Sequence, residues 1–256
     1  MRILLGTLVA VVAVVALLNM SGGAQTLQQV PAATGKTASP IVAELFTSQS
    51  CSSCPPAEKL FADLSDRDDL IVLEWHVDYW DRLVHGRAGA WKDPYSNAAY
   101  TKRQRDYNRA LRGTGGVYTP QAVINGAREA VGNRRADVEA LLMPASHATT
   151  QLAFRRDGQR IRLDVEDFVS ELQRDADIVQ LTLLPAQVTD VPRGENRGVT
   201  LASKNVVLDA KKVGTYRGQA MSLALTPPAN GHSCAILIQE KRRDQIGPII
   251  GAGYCS

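Results

Sequence analysis

Apolar positions fall along this chain in three regimes. Residues Ile3 to Leu18 form one unbroken apolar stretch behind Arg2. From Ile41 to Met143, short apolar runs alternate with segments of helical spacing. Ile41 to Thr47 suits a buried strand, and Ala57, Leu60, Phe61 and Leu64 then recur at helical intervals. Pro55 and Pro56 carry no backbone N–H, so they belong in the first turn of that helix, where donors are left over in any case. Leu70 to Tyr79 predicts a second strand, and Ser96 to Leu111 an amphipathic helix after a loop containing Trp91-Lys92-Asp93-Pro94. The stretch Gly113 to Gly116 ends that helix. A strand over Gln121 to Asn125, a turn at Asn125-Gly126, a strand at Glu129-Ala130-Val131 and a helix from Arg135 to Met143 complete the order β-α-β-α-β-β-α.

After Pro144 the texture changes. Leu152 to Phe154, Ile161 to Val165, Ile178 to Leu184, Val206 to Leu208, Met221 to Leu225 and Ala235 to Ile238 are short strand-like runs separated by turn residues. The expected fold class is therefore an α/β domain over residues 40–148, followed by a smaller antiparallel β domain over 149–256.

The opening stretch carries a different message. A positive start, an apolar segment shorter than the roughly 20 residues that span a bilayer, and the small residues Gly22-Gly23-Ala24 predict a secretory signal peptide over 1–24. Residues 25–39 have no apolar period and read as a flexible linker. The expected protein is periplasmic or secreted, with no stable membrane anchor once the signal is cleaved. Its 29 basic and 26 acidic residues include no basic run of the kind that binds nucleic acid. Export also governs the four cysteines, because disulfides persist outside the cytosol. Cys51 with Cys54 and Cys234 with Cys255 are the natural pairs, the second a structural bridge holding the tail.

A C-x-x-C pair at a helix start favours redox chemistry, because the helix dipole and free N–H groups stabilise the attacking thiolate. Cys51 is then the attacking and Cys54 the resolving cysteine, acting on a protein or small-molecule thiol or disulfide. No cofactor is needed beyond the redox-active disulfide. Zinc sites use the same spacing but need four ligands, and the sequence has no second C-x-x-C. A purely structural disulfide in an inert scaffold is the blander reading. Strand alternation groups Glu74, His76 and Asp78 on one face. With His85 and the thiolates, His76 and Asp78 give an alternative copper-carrier site, or else a polar cluster at the rim of the pair. Arg193-Gly194-Glu195-Asn196-Arg197-Gly198 reads as a turn, and Arg193 or Arg197 is a candidate to hold the thiolate or a substrate carboxylate.

The order strand, C-x-x-C, helix, strand, helix, Thr-Pro, strand, turn, strand, helix resembles the thioredoxin fold. That resemblance implies a cis peptide at Thr119-Pro120, lying against the cysteines and helping to bind the substrate backbone. More narrowly, the phrases ELFTSQSCSSCPPAE, WHVDYWD, WKDP, GVYTPQAVING and RGENRG resemble the bacterial secreted family called domain of unknown function 1223, from about Ile41 to Ile250. The chain departs from that family's usual pattern in a longer spacer, Asp81 to Ala90, and in its Cys234/Cys255 pair. Thioredoxin-like oxidoreductases that keep an acid before the pair imply a role for Glu44 in passing protons to the resolving cysteine. An exposed strand-end glutamate without a role is the other reading of that position.

Overall fold

The computed structural model describes residues 39–83, 89–143, 150–168, 175–242 and 245–255. The expected signal peptide, the linker up to residue 38 and His85 lie outside the described residues. Among the described residues no helix is long and apolar enough to cross a membrane.

The first half follows the predicted order. Strand β1 (Ile41–Thr47) leads to helix α1 (Pro55–Leu64), strand β2 (Leu70–His76), a one-turn 3-10 helix (Tyr79–Arg82) and helix α2 (Ala98–Arg112). Asn97 caps α2 by accepting a hydrogen bond from the Ala99 N–H at 2.9 Å, and Gly113 closes it with φ +69°. Strands β3 (Gln121–Ile124) and β4 (Arg128–Val131) form a hairpin before helix α3 (Arg135–Leu142). Its turn places Asn125 at φ +49° and Gly126 at +62°, left-handed values that Asn-Gly adopts readily. A side chain at Gly126 would stand 2.9 Å from the Gly247 carbonyl oxygen, so this position also needs glycine for space.

The second half is all strand: β5 (Leu152–Asp157), β6 (Arg160–Val165), β7 (Ala176–Asp190), β8 (Thr200–Tyr216), β9 (Met221–Leu225), β10 (Ser233–Arg242) and β11 (Gln245–Tyr254). Strands from both halves enter one eight-stranded mixed sheet, ordered β11-β10-β7-β8-β2-β1-β3-β4, while β5-β6-β9 make a small antiparallel sheet. The boundary expected near 148 falls in residues 144–149, outside the described residues. The join between the halves is the parallel contact of β2 with β8, at Glu74 opposite Val206.

Alternation along β1 and β2 divides the core in two. Val42, Phe46, Ile71, Leu73 and Trp75 point to one face, where Tyr100 and Tyr107 of α2 cover them. Ala43, Leu45 and Val72 point to the other, under Ala57, Leu60 and Phe61 of α1 and Val138 and Leu142 of α3. Each large side chain so buried contributes about 2 kcal/mol by transfer from water. A third cluster packs the small sheet onto β7, β10 and β11 and includes the bonded pair Cys234–Cys255.

Two expectations need correction. The second strand stops at His76 rather than Tyr79, because Tyr79–Arg82 coil into the 3-10 turn; Asp78 therefore leaves the strand face of Glu74 and His76. Strand β11 is absent from the sequence prediction, since Pro248 and Gly247, Gly251 and Gly253 argue against a strand. It is tolerated because β11 lies at the sheet edge, where a proline need not donate to a neighbour.

Candidate functional site

Strand β1 delivers the chain into two successive turns. The Cys51 N–H donates to the Ser48 carbonyl at 3.0 Å and the Cys54 N–H to the Cys51 carbonyl at 3.1 Å. Cys51 and Cys54 are disulfide-bonded, with Cα atoms 5.4 Å apart. Both are fully buried, whereas Ser52 and Ser53 between them are exposed. Cys54 is the N-cap of α1, with Pro55 and Pro56 at the first two helical positions. The first helical donors are consequently the N–H groups of Ala57 and Glu58, and both reach the Cys54 carbonyl, at 2.8 and 3.0 Å.

Three segments surround this turn. The Thr119-Pro120 peptide is cis. Its Thr119 hydroxyl accepts from the Trp80 indole N–H at 2.7 Å, and its carbonyl faces the Ser53 hydroxyl at 3.5 Å. Beside it, the Gly132 N–H donates to the Pro120 carbonyl at 2.9 Å. A side chain at Gly132 would fall 2.8 Å from the Leu45 Cδ1 methyl and 3.3 Å from Pro120 Cβ, so the approach is a close one. Asn133 then donates its side-chain amide to the Ser53 carbonyl at 3.2 Å. The third segment is the tip of the β7–β8 hairpin. Gly194, at φ +80°, packs against Ser50 and Trp91. The buried Asn196 amide donates to the Gln49 and Cys51 carbonyls at 2.9 and 3.0 Å. An oxygen of the Glu195 carboxylate accepts from the Ser52 N–H at 2.9 Å.

Behind Cys54 lies a buried titratable cluster. Glu58 stands one helical turn on from Cys54, on the same side of α1, and its Oε1 accepts from the Thr47 hydroxyl at 2.7 Å. His76 Nδ1 meets Asp93 Oδ2 at 2.7 Å, and the same oxygen accepts from the Gln49 N–H at 2.8 Å. Glu74 Oε2 is 3.8 Å from His76 Nε2, beyond hydrogen-bond reach. Glu58 Oε2, Glu74 Oε2 and His76 Nε2 have no hydrogen-bond partner. Burial, reinforced by the charge of Glu74, pushes the Glu58 carboxyl up to about 7. Burial likewise raises Glu74. Burial opposes a charge on His76, but Asp93 and Glu74 outweigh it and push the imidazole up to about 10. Asp93 is held below the usual carboxylate range despite burial, through His76 and the Gln49 and Tyr95 N–H groups.

Glu44 is not brought to the cysteines. It shares the α2 face with Val42 and Phe46, across the sheet from α1, and is fully buried. Its Oε1 accepts from Arg103 Nε at 2.8 Å and its Oε2 from the Tyr107 hydroxyl at 2.5 Å. Neither the exposed, idle glutamate nor an acid beside Cys54 describes this position. Asp78 precedes the 3-10 turn without a side-chain capping bond, and its Oδ1 accepts from Thr101 Oγ1 at 2.6 Å. Among the described residues, no group of three or more His, Cys, Asp or Glu side chains is arranged to hold a metal ion. Arg193 and Arg197 are exposed on the hairpin tip; their neighbours Glu195 and Asn196 make its contacts to the cysteine turn. The Cys255 N–H donates to the Cys234 carbonyl at 2.9 Å, so that bridge staples adjacent strands far from Cys51 in the sheet order.

The sequence pattern does not single out Glu58, Asp93 or Asn196. For Glu58 a signal exists: a glutamate three residues before Phe61 and four after Cys54 falls on the apolar stripe of α1, where an unpaired charge is costly.

Two solved structures are similar to this one. Protein AGR_C_4864 from Agrobacterium tumefaciens has 29% sequence identity and a TM-score of 0.71, over 86% of this chain and 95% of that one. HBP35 of Porphyromonas gingivalis has a TM-score of 0.59 over 86% of this chain and 76% of that one, but at 11% identity the likeness concerns the fold alone. No curated protein matches. A family model matches residues 42–239 of the 256, and the chain therefore belongs to the family described as "Protein of unknown function (DUF1223)".

Proposed function

We propose that this protein is an exported, thioredoxin-like thiol-disulfide oxidoreductase whose reacting groups are Cys51 and Cys54. The observation that carries the reading is the convergence on one cysteine turn of a helix start, a cis proline segment and a buried carboxyl of raised pKa. In the reduced protein, the Cys51 thiolate attacks one sulfur of a substrate disulfide, forming a mixed disulfide and releasing one substrate thiolate. Cys54 then gives its proton to the Glu58 carboxylate and attacks Cys51 Sγ, releasing the second substrate thiol. The pair is oxidised by two electrons and the substrate reduced by two; the reverse sequence donates the disulfide. Thr119 and Pro120 form one wall of the groove, and Glu58 takes the part expected of Glu44.

The test is trapping. A Cys54→Ala variant incubated with a disulfide-bonded peptide is expected to accumulate a mixed disulfide through Cys51, detected as a mass adduct. No adduct, combined with tight Cu(I) binding by the reduced wild type, would overturn the reading in favour of a copper carrier.

A further inference from the structure

The two cysteines of the turn are not held alike. Cys54 belongs to α1: it is the N-cap, and its carbonyl accepts the Ala57 and Glu58 N–H groups at 2.8 and 3.0 Å. Cys51 lies ahead of the helix, on the loop that leaves β1 after Thr47. Two local backbone bonds shape its place in that loop, from the Cys51 N–H to the Ser48 carbonyl and from the Cys54 N–H to the Cys51 carbonyl. Fixing a loop backbone costs conformational entropy at every residue, which two bonds of this kind offset only in part. The placing of Cys51 therefore depends on what grips its backbone from outside.

That grip comes from the β half. Asn196, at the β7–β8 tip and 4% exposed, donates its side-chain amide to the Gln49 carbonyl at 2.9 Å and to the Cys51 carbonyl at 3.0 Å. Two carbonyl oxygens as neighbours demand two donors on one atom, which an amide nitrogen has and a carboxylate or hydroxyl does not. The Arg197 N–H donates to the Gly194 carbonyl at 3.2 Å, closing the turn that carries Asn196. Other side chains bond the backbone of Gln49, Ser52 and Ser53. Among the described residues, Asn196 is the one side chain that bonds the backbone of Cys51.

Resting on the oxidoreductase reading, we infer that Asn196 is a positioning residue for the cysteine pair, and that the long β7–β8 hairpin serves the reaction by bringing it there. An intramolecular disulfide closes in proportion to the effective concentration of one thiol at the other, which rises as the two are held in bonding geometry. Helix α1 fixes the Cys54 end of the pair and Asn196 fixes the Cys51 end, so the turn is ordered before closure begins. The step assisted is the second one. Cys54, its proton given to Glu58, attacks Cys51 Sγ of the mixed disulfide. The Cys51–Cys54 bond forms as the bond from Cys51 to the substrate breaks, and the electron pair leaves on the substrate sulfur. The earlier attack of Cys51 on the substrate needs no closure.

The experiment equilibrates wild type, Asn196→Ala and Thr200→Val with mixtures of reduced and oxidised glutathione. Thr200 is the control, because its hydroxyl donates to Asp190 on the same hairpin at 2.6 Å and makes no hydrogen bond to the cysteine turn. Asn196→Ala is expected to shift the pair about tenfold toward the dithiol, about 30 mV for a two-electron couple, and to lengthen the life of the mixed disulfide with a peptide by a similar factor. In the Cys54→Ala background, the adduct through Cys51 is expected to form at the same rate with Asn196 or with alanine there. Thr200→Val is expected to match wild type throughout. Asn196→Ser, with one donor for two carbonyls, is expected to fall between, and it carries the test where Asn196→Ala does not fold. An unchanged equilibrium in the Asn196 variants, or an equal shift in Thr200→Val, overturns the role of Asn196. Slower adduct formation in the double variant places its effect on the attack and overturns the role in closure. Failure of the wild type to exchange with glutathione, together with no adduct in Cys54→Ala, strikes instead at the oxidoreductase reading.

Discussion

Two buried acidic clusters lie back to back across β1 and β2, and they are built on opposite principles. On the α2 face, Glu44 has both oxygens engaged, by Arg103 and Tyr107, and Gln239 ties the Arg103 guanidinium and the Tyr107 hydroxyl to β10. On the α1 face, Glu58, Glu74 and His76 each keep one polar atom without a partner. A fully paired buried charge holds elements together. An underpaired one sits close to the balance between its two protonation states, a property useful to chemistry and costly to stability. The comparison teaches that burial of an acid near the cysteines is an ambiguous clue; its partners decide what it does.

The sharpest way to break the contrast is to remove Arg103. Arg103→Ala leaves the Glu44 charge buried and unpaired, and we expect a loss of about 3–5 kcal/mol in urea denaturation, with disulfide exchange at Cys51 unchanged in the folded fraction. A loss below 1 kcal/mol would mean that the α2 cluster is no clamp.

The second way uses pH. The folded carboxyl of Glu58 titrates at about 7 against an ordinary value of 4.5, so between these values the folded state holds a proton the unfolded state has released. Its contribution is fully present below pH 4.5, falls through that window and levels off above about 7. His76, pushed from 6.5 to about 10, contributes stability that is present below pH 6.5 and lost as pH rises toward 10. Stability measured by denaturation should therefore decline from pH 5 to pH 9, and Glu58→Gln should flatten the lower part of that decline. The same variant should slow resolution of the mixed disulfide by about a hundredfold, the usual worth of a positioned proton acceptor. An identical pH profile in Glu58→Gln would place the proton elsewhere.

The smallest expected effect is at Thr47. Thr47→Val removes the hydroxyl that supports Glu58 Oε1 and should cost about 1 kcal/mol, while moving the acid-side limb of the exchange rate to higher pH, because the carboxylate loses a donor.

How far the sequence carries can be read at particular positions. Strand β1, the proline-headed α1, the Asn125-Gly126 turn and both cysteine pairs are dictated locally, by period, turn chemistry and spacing. The face taken by Glu44 is not, because a period of two makes facing depend on a partner surface the sequence does not name. The meeting of Glu58, Glu74, His76 and Asp93 depends on β1 and β2 pairing in parallel at one register, Thr47 opposite His76. Strands β7 and β8 extend well past their apolar runs because each completes the other's ladder, from Ala176 opposite Tyr216 to Asp190 opposite Thr200. That extension carries the Arg193 to Gly198 phrase to the cysteines. The phrase announces a turn; only the length of the hairpin says where the turn arrives.

The reach of that hairpin also has a consequence in time. Asn196 and Glu195 bond residues 143 to 147 positions earlier in the chain, whereas Cys51 and Cys54 are separated by 3. In a chain that grows from its N-terminus, the cysteines emerge and meet long before the segment that covers them exists, since local closures precede distant ones. The nascent protein thus passes through a period in which the cysteine turn is open on the side the hairpin tip later occupies, and completion of the β half closes that side.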